Sequence, residues 1–152
     1  MAGRTLEGDR GESLLELIIA VAIMSVAVIA VAAGIGTAVL VSDIHRKQAT
    51  AGTTARDYGE AIQHLIAGGG YVACASTASY ASPPGFLSPP GYSASVVPGS
   101  LRYWTGSGWQ ASCTADKGLQ RLTVRVRSGD DRAVEDLVIV VRKRCGLTES
   151  PC

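Results

Sequence analysis

The fold is decided by the stretch Gly11-Glu12-Ser13-Leu14-Leu15-Glu16-Leu17 and by the apolar run that continues from it to Val41. Between residues 14 and 41 the sequence contains one charged side chain, the carboxylate of Glu16. A run of this length can cross a bilayer as a tilted helix. A charge at that depth costs about 2.5–3.5 kcal/mol on insertion scales, so it usually has a partner. The stretch therefore predicts a membrane-spanning helix in which Glu16 pairs with a positive group from another copy of the same element.

This stretch resembles the N-terminal signal of type IV pilins and pseudopilins. The resemblance rests on Gly11, a short polar pair, Leu14-Leu15, Glu16 as the fifth residue after the glycine, and the apolar helix that follows. It extends over residues 11–65. It implies a pilin-like α+β fold, in which a long N-terminal α-helix with a transmembrane first half packs on a small antiparallel β-sheet.

The resemblance also implies how the chain is processed. In that family a prepilin peptidase cuts directly after the glycine and methylates the new N-terminus, which here places the cut between Gly11 and Glu12. It further implies that Glu16 pairs with the N-terminal amine of a neighbouring subunit during assembly.

The leader departs from the family pattern at two points. The first residue after the cut is Glu12 instead of the usual Phe, and this departure bears on methylation more than on cleavage. The leader is usually basic, whereas here its two basic residues, Arg4 and Arg10, are balanced by Glu7 and Asp9.

The function implied by the resemblance is structural. We expect a minor pilin or pseudopilin that is assembled into a type IV pilus or a type II secretion-like filament. Its partners would be the prepilin peptidase, other pilin subunits, the assembly machinery and the membrane, and no cofactor is implied. The chain would be a single-pass membrane protein with an extracytoplasmic C-terminal domain, displayed on a filament or the cell surface after assembly. The alternative interpretation is a single-pass membrane-anchored extracytoplasmic binding domain with an uncut leader.

The chain divides into five predicted segments. They are a leader over residues 1–11, a transmembrane and filament-core helix over 12–41, an amphipathic continuation of that helix over 42–67, a Pro/Gly/Ser-rich loop region over 68–100, and an antiparallel β-sheet with a C-terminal tail over 101–152.

The amphipathic continuation is predicted from spacing. Apolar residues recur at intervals of seven, four and three along one helical face. The run Gly68-Gly69-Gly70 should end the helix, because glycine readily adopts left-handed backbone. The face consists of Ile44, Ala51, Ala55, Tyr58, Ile62 and Leu65.

The sheet is predicted from alternation of apolar and polar residues. Ser93–Val97 and Leu101–Trp104 are short strand candidates, and Trp104–Trp109 resembles a tight hairpin. Two longer strands, Leu119–Arg127 and Val134–Arg144, each have one apolar face, as a sheet packed on a helix requires. The apolar positions are Leu122, Val124 and Val126 on the first and Leu137, Ile139 and Val141 on the second.

All four cysteines, Cys74, Cys113, Cys145 and Cys152, lie in the second half of the chain. An even count there predicts two disulfides and an oxidising compartment. Three pairings exist, of which we favour Cys145 with Cys152 and Cys74 with Cys113. The basic run at residues 45–47 would favour the opposite membrane orientation, and the cysteines decide for an outward C-terminus.

An arginine-rich surface is expected on the last two strands. Guanidinium groups on the outer sheet face can hold phosphates, so DNA contact is a secondary interpretation. The principal one is a solvated face that limits edge-to-edge aggregation. The candidate nucleic-acid contacts are Arg121, Arg125, Arg127, Arg142 and Arg144.

Neither an enzyme nor a metal site is expected. Neither His45 nor His64 has a nearby Cys or Ser nucleophile together with an acid that could orient the imidazole. The sequence also contains no C-x-x-C, G-x-S-x-G or H-E-x-x-H motif. The acidic pairs Asp130-Asp131 and Glu135-Asp136 are interpreted as solvated residues in and beside a turn, not as calcium ligands.

Overall fold

The computed structural model describes residues 14–145. The chain begins there with helix α1, Leu14–Leu65, which is followed by a π-helical turn, Ile66–Gly70. The structure divides into two compact units at the boundary between Ser42 and Asp43. Here they are called the N-terminal unit (residues 14–42) and the head unit (residues 43–145), and each is described by itself.

The N-terminal unit is helical throughout, and its large apolar side chains are exposed, from Leu14 at 77% to Val41 at 44%. Helix α1 is long and apolar enough to cross a membrane by length and composition. Exposed apolar surface of this extent is unfavourable in water at roughly 25 cal/mol per Å². The unit is therefore built for an apolar environment.

The helical part of the head unit has one buried face. The buried residues of this face recur at helical spacing and pack on the sheet, as the sequence predicts. Two of the predicted positions, Ile44 and Leu65, are only partly buried. The helical backbone ends within the predicted run Gly68-Gly69-Gly70. Gly69 takes a positive φ of 98°, which does not fit a right-handed helix. The buried positions are Ala51, Thr54, Ala55, Tyr58, Gly59, Ile62 and, in the π-helical turn, Ile66.

The head unit contains one five-stranded antiparallel sheet. Strand β4 is central: β5 pairs along one edge, while β1 and β2 share the other edge, and β3 pairs with β2. The strands are β1 Tyr92–Val96, β2 Arg102–Trp104, β3 Trp109–Gln110, β4 Leu119–Ser128 and β5 Val134–Arg142.

The inner face of the sheet forms the core with α1. Leu122, Val124 and Val126 of β4 are fully buried, and Ile139 and Val141 of β5 are buried beside them. The predicted alternation and the pilin-like α+β class, one long helix packed on a small antiparallel sheet, are thus confirmed.

The predicted loop over residues 68–100 needs correction in two places. Thr77–Tyr80 forms a short 3₁₀ helix, and residues 92–96 form β1, one residue earlier than the strand candidate. Strand β1 belongs to the sheet because its inward residues, such as Val96, pack on the core. The last strand ends at Arg142 instead of Arg144.

Candidate functional site

The predicted cleavage site, Gly11 and Glu12, lies outside the described residues. The structure begins at Leu14, and Glu16 lies in the first turn of α1. An acidic side chain is favourable there because the helix N-terminus carries partial positive charge. Glu16 is also the one residue with a full charge in the N-terminal unit, residues 14–42.

Two hydroxyl groups of the N-terminal unit donate hydrogen bonds to their own helix. Ser25 donates to the carbonyl oxygen of Val21 at 2.7 Å, and Thr37 donates to that of Ala33 at 3.1 Å. Such bonds remove the need for water at these positions, as a helix in lipid requires.

One disulfide, Cys74–Cys113, is present in the head unit, with the two Cα atoms 5.5 Å apart. It is one of the two predicted bridges. The other, between Cys145 and Cys152, involves a residue outside the described part of the chain and stays a prediction.

A polar cluster beside this disulfide was missed by the sequence reasoning, and its centre is Asp116. The carboxylate accepts hydrogen bonds from the Tyr71 hydroxyl at 2.6 Å and the Gln120 side-chain amide at 2.7 Å. It also accepts from the backbone N–H groups of Cys74 at 3.0 Å and Gly118 at 2.9 Å. Partial burial opposes ionisation of Asp116, but these bonds outweigh it and lower the pKa of the carboxyl.

The cluster continues into the core through Gln120, which is fully buried on the inner face of β4. Its amide donates to the Val72 carbonyl at 2.8 Å, and its oxygen accepts from the Tyr80 hydroxyl at 2.9 Å. The Tyr103 hydroxyl donates to the Ala75 carbonyl at 2.6 Å. Segment 71–80 is therefore held on the sheet by satisfied buried polar groups, as native interiors require.

A second cluster missed from the sequence joins the helix to the β4–β5 turn. The Lys47 ammonium contacts Asp130 at 2.5 Å and Asp43 at 3.0 Å. Asp130 also accepts from the Ser128 hydroxyl at 2.7 Å. The bonds from Lys47 and Ser128 lower the pKa of Asp130 below its ordinary range. Asp130 thus has a structural role in the head unit, in addition to its place in a turn.

The arginine residues are not arranged as one uniform strip. Arg121, Arg125 and Arg127 lie on the outer face of β4, while the outer face of β5 presents Val134, Val138 and Val140 together with Asp136 and Arg142.

Two of the β4 guanidinium groups are paired with carboxylates. Arg125 makes two 2.6 Å bonds to Asp136, and Arg127 lies 3.4 Å from Asp131. These surface pairs reduce the positive potential available for phosphate, and DNA contact stays a prediction.

The remaining candidate arginines have other environments. Arg121 lies over the Trp109 ring at 5.3 Å, a cation–π distance. Arg144 lies beyond β5 and donates to the Ala67 carbonyl at 3.1 Å. Arg142 contacts no carboxylate within residues 14–145.

Comparison with known proteins identifies the class of the N-terminal element. Residues 8–32 match the family model described as the prokaryotic N-terminal methylation motif, which is the type IV prepilin signal. The chain therefore carries a type IV pilin-like prepilin signal, and this motif points to a structural subunit rather than an enzyme. No curated protein and no solved structure matches the chain.

The match overlaps the described helix from Leu14 onward. A prepilin signal and one long apolar helix together fit a membrane-anchored protein. Within residues 14–145, no group of three or more His, Cys, Asp or Glu side chains is placed to hold a metal ion.

Proposed function

We propose that this chain is the precursor of a minor pilin or pseudopilin, cut after Gly11 and assembled into a type IV pilus or a type II secretion-like filament. The observation that carries the proposal is the coincidence of the prepilin signal with an exposed apolar helix. A membrane holds such a helix before assembly, and packing against the helices of other subunits covers it afterwards.

In the proposal, Glu16 takes the pairing role that the prepilin signal implies. In lipid or in a bundle of apolar helices, an uncompensated charge is expensive, and an opposite charge is its cheapest partner. Cleavage after Gly11 creates a new amine on Glu12, four residues before Glu16 in the sequence. In the proposal, the Glu16 carboxylate of one subunit neutralises the amine of its neighbour and so sets their relative position.

The head unit supports an extracytoplasmic location. The Cys74–Cys113 disulfide forms and persists in oxidising compartments. In the proposal the head unit is displayed outside the membrane, and the leader stays on the cytoplasmic side.

The first experiment is an intact-mass measurement of the membrane-extracted chain from cells with and without their prepilin peptidase. We expect loss of residues 1–11 only in the presence of the peptidase, with a methyl group on the mature chain if Glu12 is modified. A full-length chain in both strains would overturn the proposal.

The second experiment tests assembly through Glu16→Gln, which removes the charge and keeps the side-chain shape. We expect normal cleavage and membrane insertion but at least about a tenfold loss of filament incorporation, since an unpaired buried charge costs several kcal/mol. Ser25→Ala, on the same helix, is the matched control and should incorporate normally. Normal incorporation of Glu16→Gln would remove the proposed pairing.

A membrane-anchored binding domain remains the second candidate. The observation that favours it is the outward Arg121, stacked on Trp109 and register-paired with Arg102, because aromatic and guanidinium groups together bind nucleic acid. It predicts an uncut leader and salt-dependent DNA binding that weakens in Arg121→Ala. The mass measurement above distinguishes it from the first candidate.

A further inference from the structure

A groove lies between the last helical turns of the head unit and the end of strand β5. Its volume is about 740 Å³. The helical side contributes Ile66 and Ala67, and the strand side contributes Val140 and Val141. Val140 is 49% exposed and Ala67 is also exposed, so the groove presents apolar surface to solvent. Covering such surface with another apolar group is favourable by roughly 25 cal/mol per Å².

The strand side of the groove is also basic. Arg142 and Arg144 line it, and both side chains are exposed. Arg144 reaches the helical side, where it donates to the Ala67 carbonyl at 3.1 Å. Within residues 14–145 neither guanidinium forms an ion pair with a carboxylate. A group that fits this groove therefore combines an apolar side chain with a negative charge.

Backbone hydrogen-bonding groups of β5 are available at the same place. Lys143 N–H donates to Gly118 O at 2.8 Å, so residue 143 forms a hydrogen-bonded pair with β4. Because such pairs alternate along antiparallel strands, the backbone groups of Val140 and Arg142 point away from β4. Among the strands of residues 14–145, only β4 pairs with β5. An extended segment beside this edge can therefore bond to these groups.

The part of the chain that continues from the groove has the matching chemistry. Cys145, the last described residue, lines the groove. In residues 146–152, Leu147 is the one large apolar side chain and Glu149 is the one charged side chain. An extended chain spans at most about 3.6 Å per residue, so Leu147 lies within about 7 Å of Cys145 and Glu149 within about 14 Å, measured between Cα atoms. The chain itself therefore holds both side chains near the groove.

This attachment favours the segment over a ligand from solution. A group on a short flexible tether has an effective concentration in the millimolar range at its site. A separate peptide with the same side chains has to compete with it. The occupant with the advantage is consequently the continuation of the same chain.

We propose that residues 146–149 of this chain dock in the groove at the end of β5. The Leu147 side chain packs on the apolar lining, and the Glu149 carboxylate pairs with the Arg142 guanidinium. The docked segment covers the edge of β5 beside Val140 and Arg142. This inference rests neither on the filament role nor on the predicted disulfide between Cys145 and Cys152.

The test is hydroxyl-radical footprinting of the full-length chain in detergent, with the oxidation of each leucine measured by mass spectrometry. Leu87 is 91% exposed and serves as the reference within the same chain. We expect Leu147 to be oxidised several-fold more slowly than Leu87, because docking removes it from solvent. Oxidation of Leu147 at the rate of Leu87 would overturn the proposal.

A charge reversal distinguishes docking from other causes of protection. Glu149→Lys turns the attraction to Arg142 into a repulsion, and we expect the oxidation rate of Leu147 to rise at least about twofold. Asp57→Lys is the matched control, since it makes the same charge change at an exposed position of the helical part and should leave this rate unchanged. Adding Arg142→Glu to Glu149→Lys restores a pair of opposite charges and should restore the protection.

Three further results would contradict the docking. Protection of Leu147 that is equal in Glu149→Lys and the unmodified chain would mean that detergent or another surface covers it. Protection that increases with protein concentration would assign the cover to a second copy of the chain. Equal loss of protection in Asp57→Lys and Glu149→Lys would show an effect of net charge without a specific pair.

Discussion

Asp116 collects four donors from separate parts of the chain onto one carboxylate: Tyr71, Cys74, Gly118 and Gln120. Hydrogen bonds to an ionised group are shorter and roughly twice as strong as neutral ones. Because Cys74 is also in the disulfide, this carboxylate and the covalent bridge hold the same segment. Asp116 therefore positions the chain between the helix and the sheet.

The first prediction is that Asp116→Asn destabilises the head unit. The amide keeps one acceptor oxygen and turns an NH₂ group towards donors, so at least one buried donor loses its partner. The expected loss is about 1–3 kcal/mol in the free energy of unfolding. The measurement is urea denaturation of the full-length chain in detergent, followed by the fluorescence of the two tryptophans of the β2–β3 hairpin.

The control for this prediction is Asp57→Asn, an exposed aspartate on the helical part of the head unit. It should change the free energy of unfolding by less than about 0.5 kcal/mol, as surface substitutions do. An equal, small effect at both positions would show that the Asp116 bonds are replaced by water without cost.

The polar clusters could not be predicted from the sequence, whereas Glu16 and the arginines could be named as candidates from local patterns. The apolar context of Glu16 and the alternation around Arg121 are local features, whereas Asp116 stands in a polar loop with no local pattern. Its partner Tyr71 is 45 positions away, and Lys47 is 83 positions from Asp130. Only the packing of segment 71–80 and of the β4–β5 turn on their neighbours brings these groups together.

The contact between α1 and β5 depends on a glycine. A Cβ atom at Gly59 would lie 3.3 Å from Ile139 Cγ2 and 3.5 Å from Leu137 Cδ2. At Gly52, on the same helix, a Cβ atom would meet nothing within 4 Å. The two positions share their helix propensity and differ in the space available, so they form a matched pair.

The second prediction compares Gly52→Ala with Gly59→Ala. Alanine favours a helix over glycine by about 0.5–1 kcal/mol, and Gly52→Ala should gain that amount. At Gly59 the same gain is opposed by overpacking, which typically costs 1–3 kcal/mol. We expect Gly59→Ala to be at least about 1 kcal/mol less stable than Gly52→Ala in urea denaturation. Equal gains would mean that β5 moves away from the helix without penalty.

The sequence was sufficient to predict the two long strands, but it was insufficient to predict the order of the strands in the sheet. The alternation in β4 and β5 identified their inward faces, because each strand has one buried side. Strand β1 was predicted one residue too late, at the end of a segment rich in Pro, Gly and Ser. Its pairing with β4, which brings Val96 opposite Val124, is a long-range choice that no local pattern encodes.

The stability of the whole head unit should depend on pH at both ends of the scale. Hydrogen bonds and ion pairs lower the pKa values of Asp130 and Asp136, and the four hydrogen bonds to Asp116 lower its pKa against the opposing effect of burial. Burial raises the pKa values of the hydroxyl groups of Tyr58, Tyr71 and Tyr80.

The third prediction follows from the signs of these shifts. A lowered carboxyl pKa contributes stability above its unfolded value of about 3.9, and this is lost as pH falls towards the folded value. A raised tyrosine pKa contributes stability below about 10, and this is lost as pH rises towards the folded value. The melting temperature should therefore be nearly constant between about pH 5 and 9 and fall on both sides. In Asp116→Asn the melting temperature should fall less below pH 5 than in the unmodified chain. An equal fall in both would show that Asp116 does not contribute to the pH dependence of stability.

The central position of β4 has a consequence for the order in which the molecule can be made. Strands β1 and β2 and the buried face of α1 are synthesised before the strand on which they all depend. Before β4 is synthesised, the chain holds an apolar helix face, an unpaired β1 and the short β2–β3 hairpin. Exposed surface of this kind is what chaperones bind. A chain that ends before Leu119 can form only the β2–β3 pair of this sheet, because β1, β2 and β5 all take β4 as their partner.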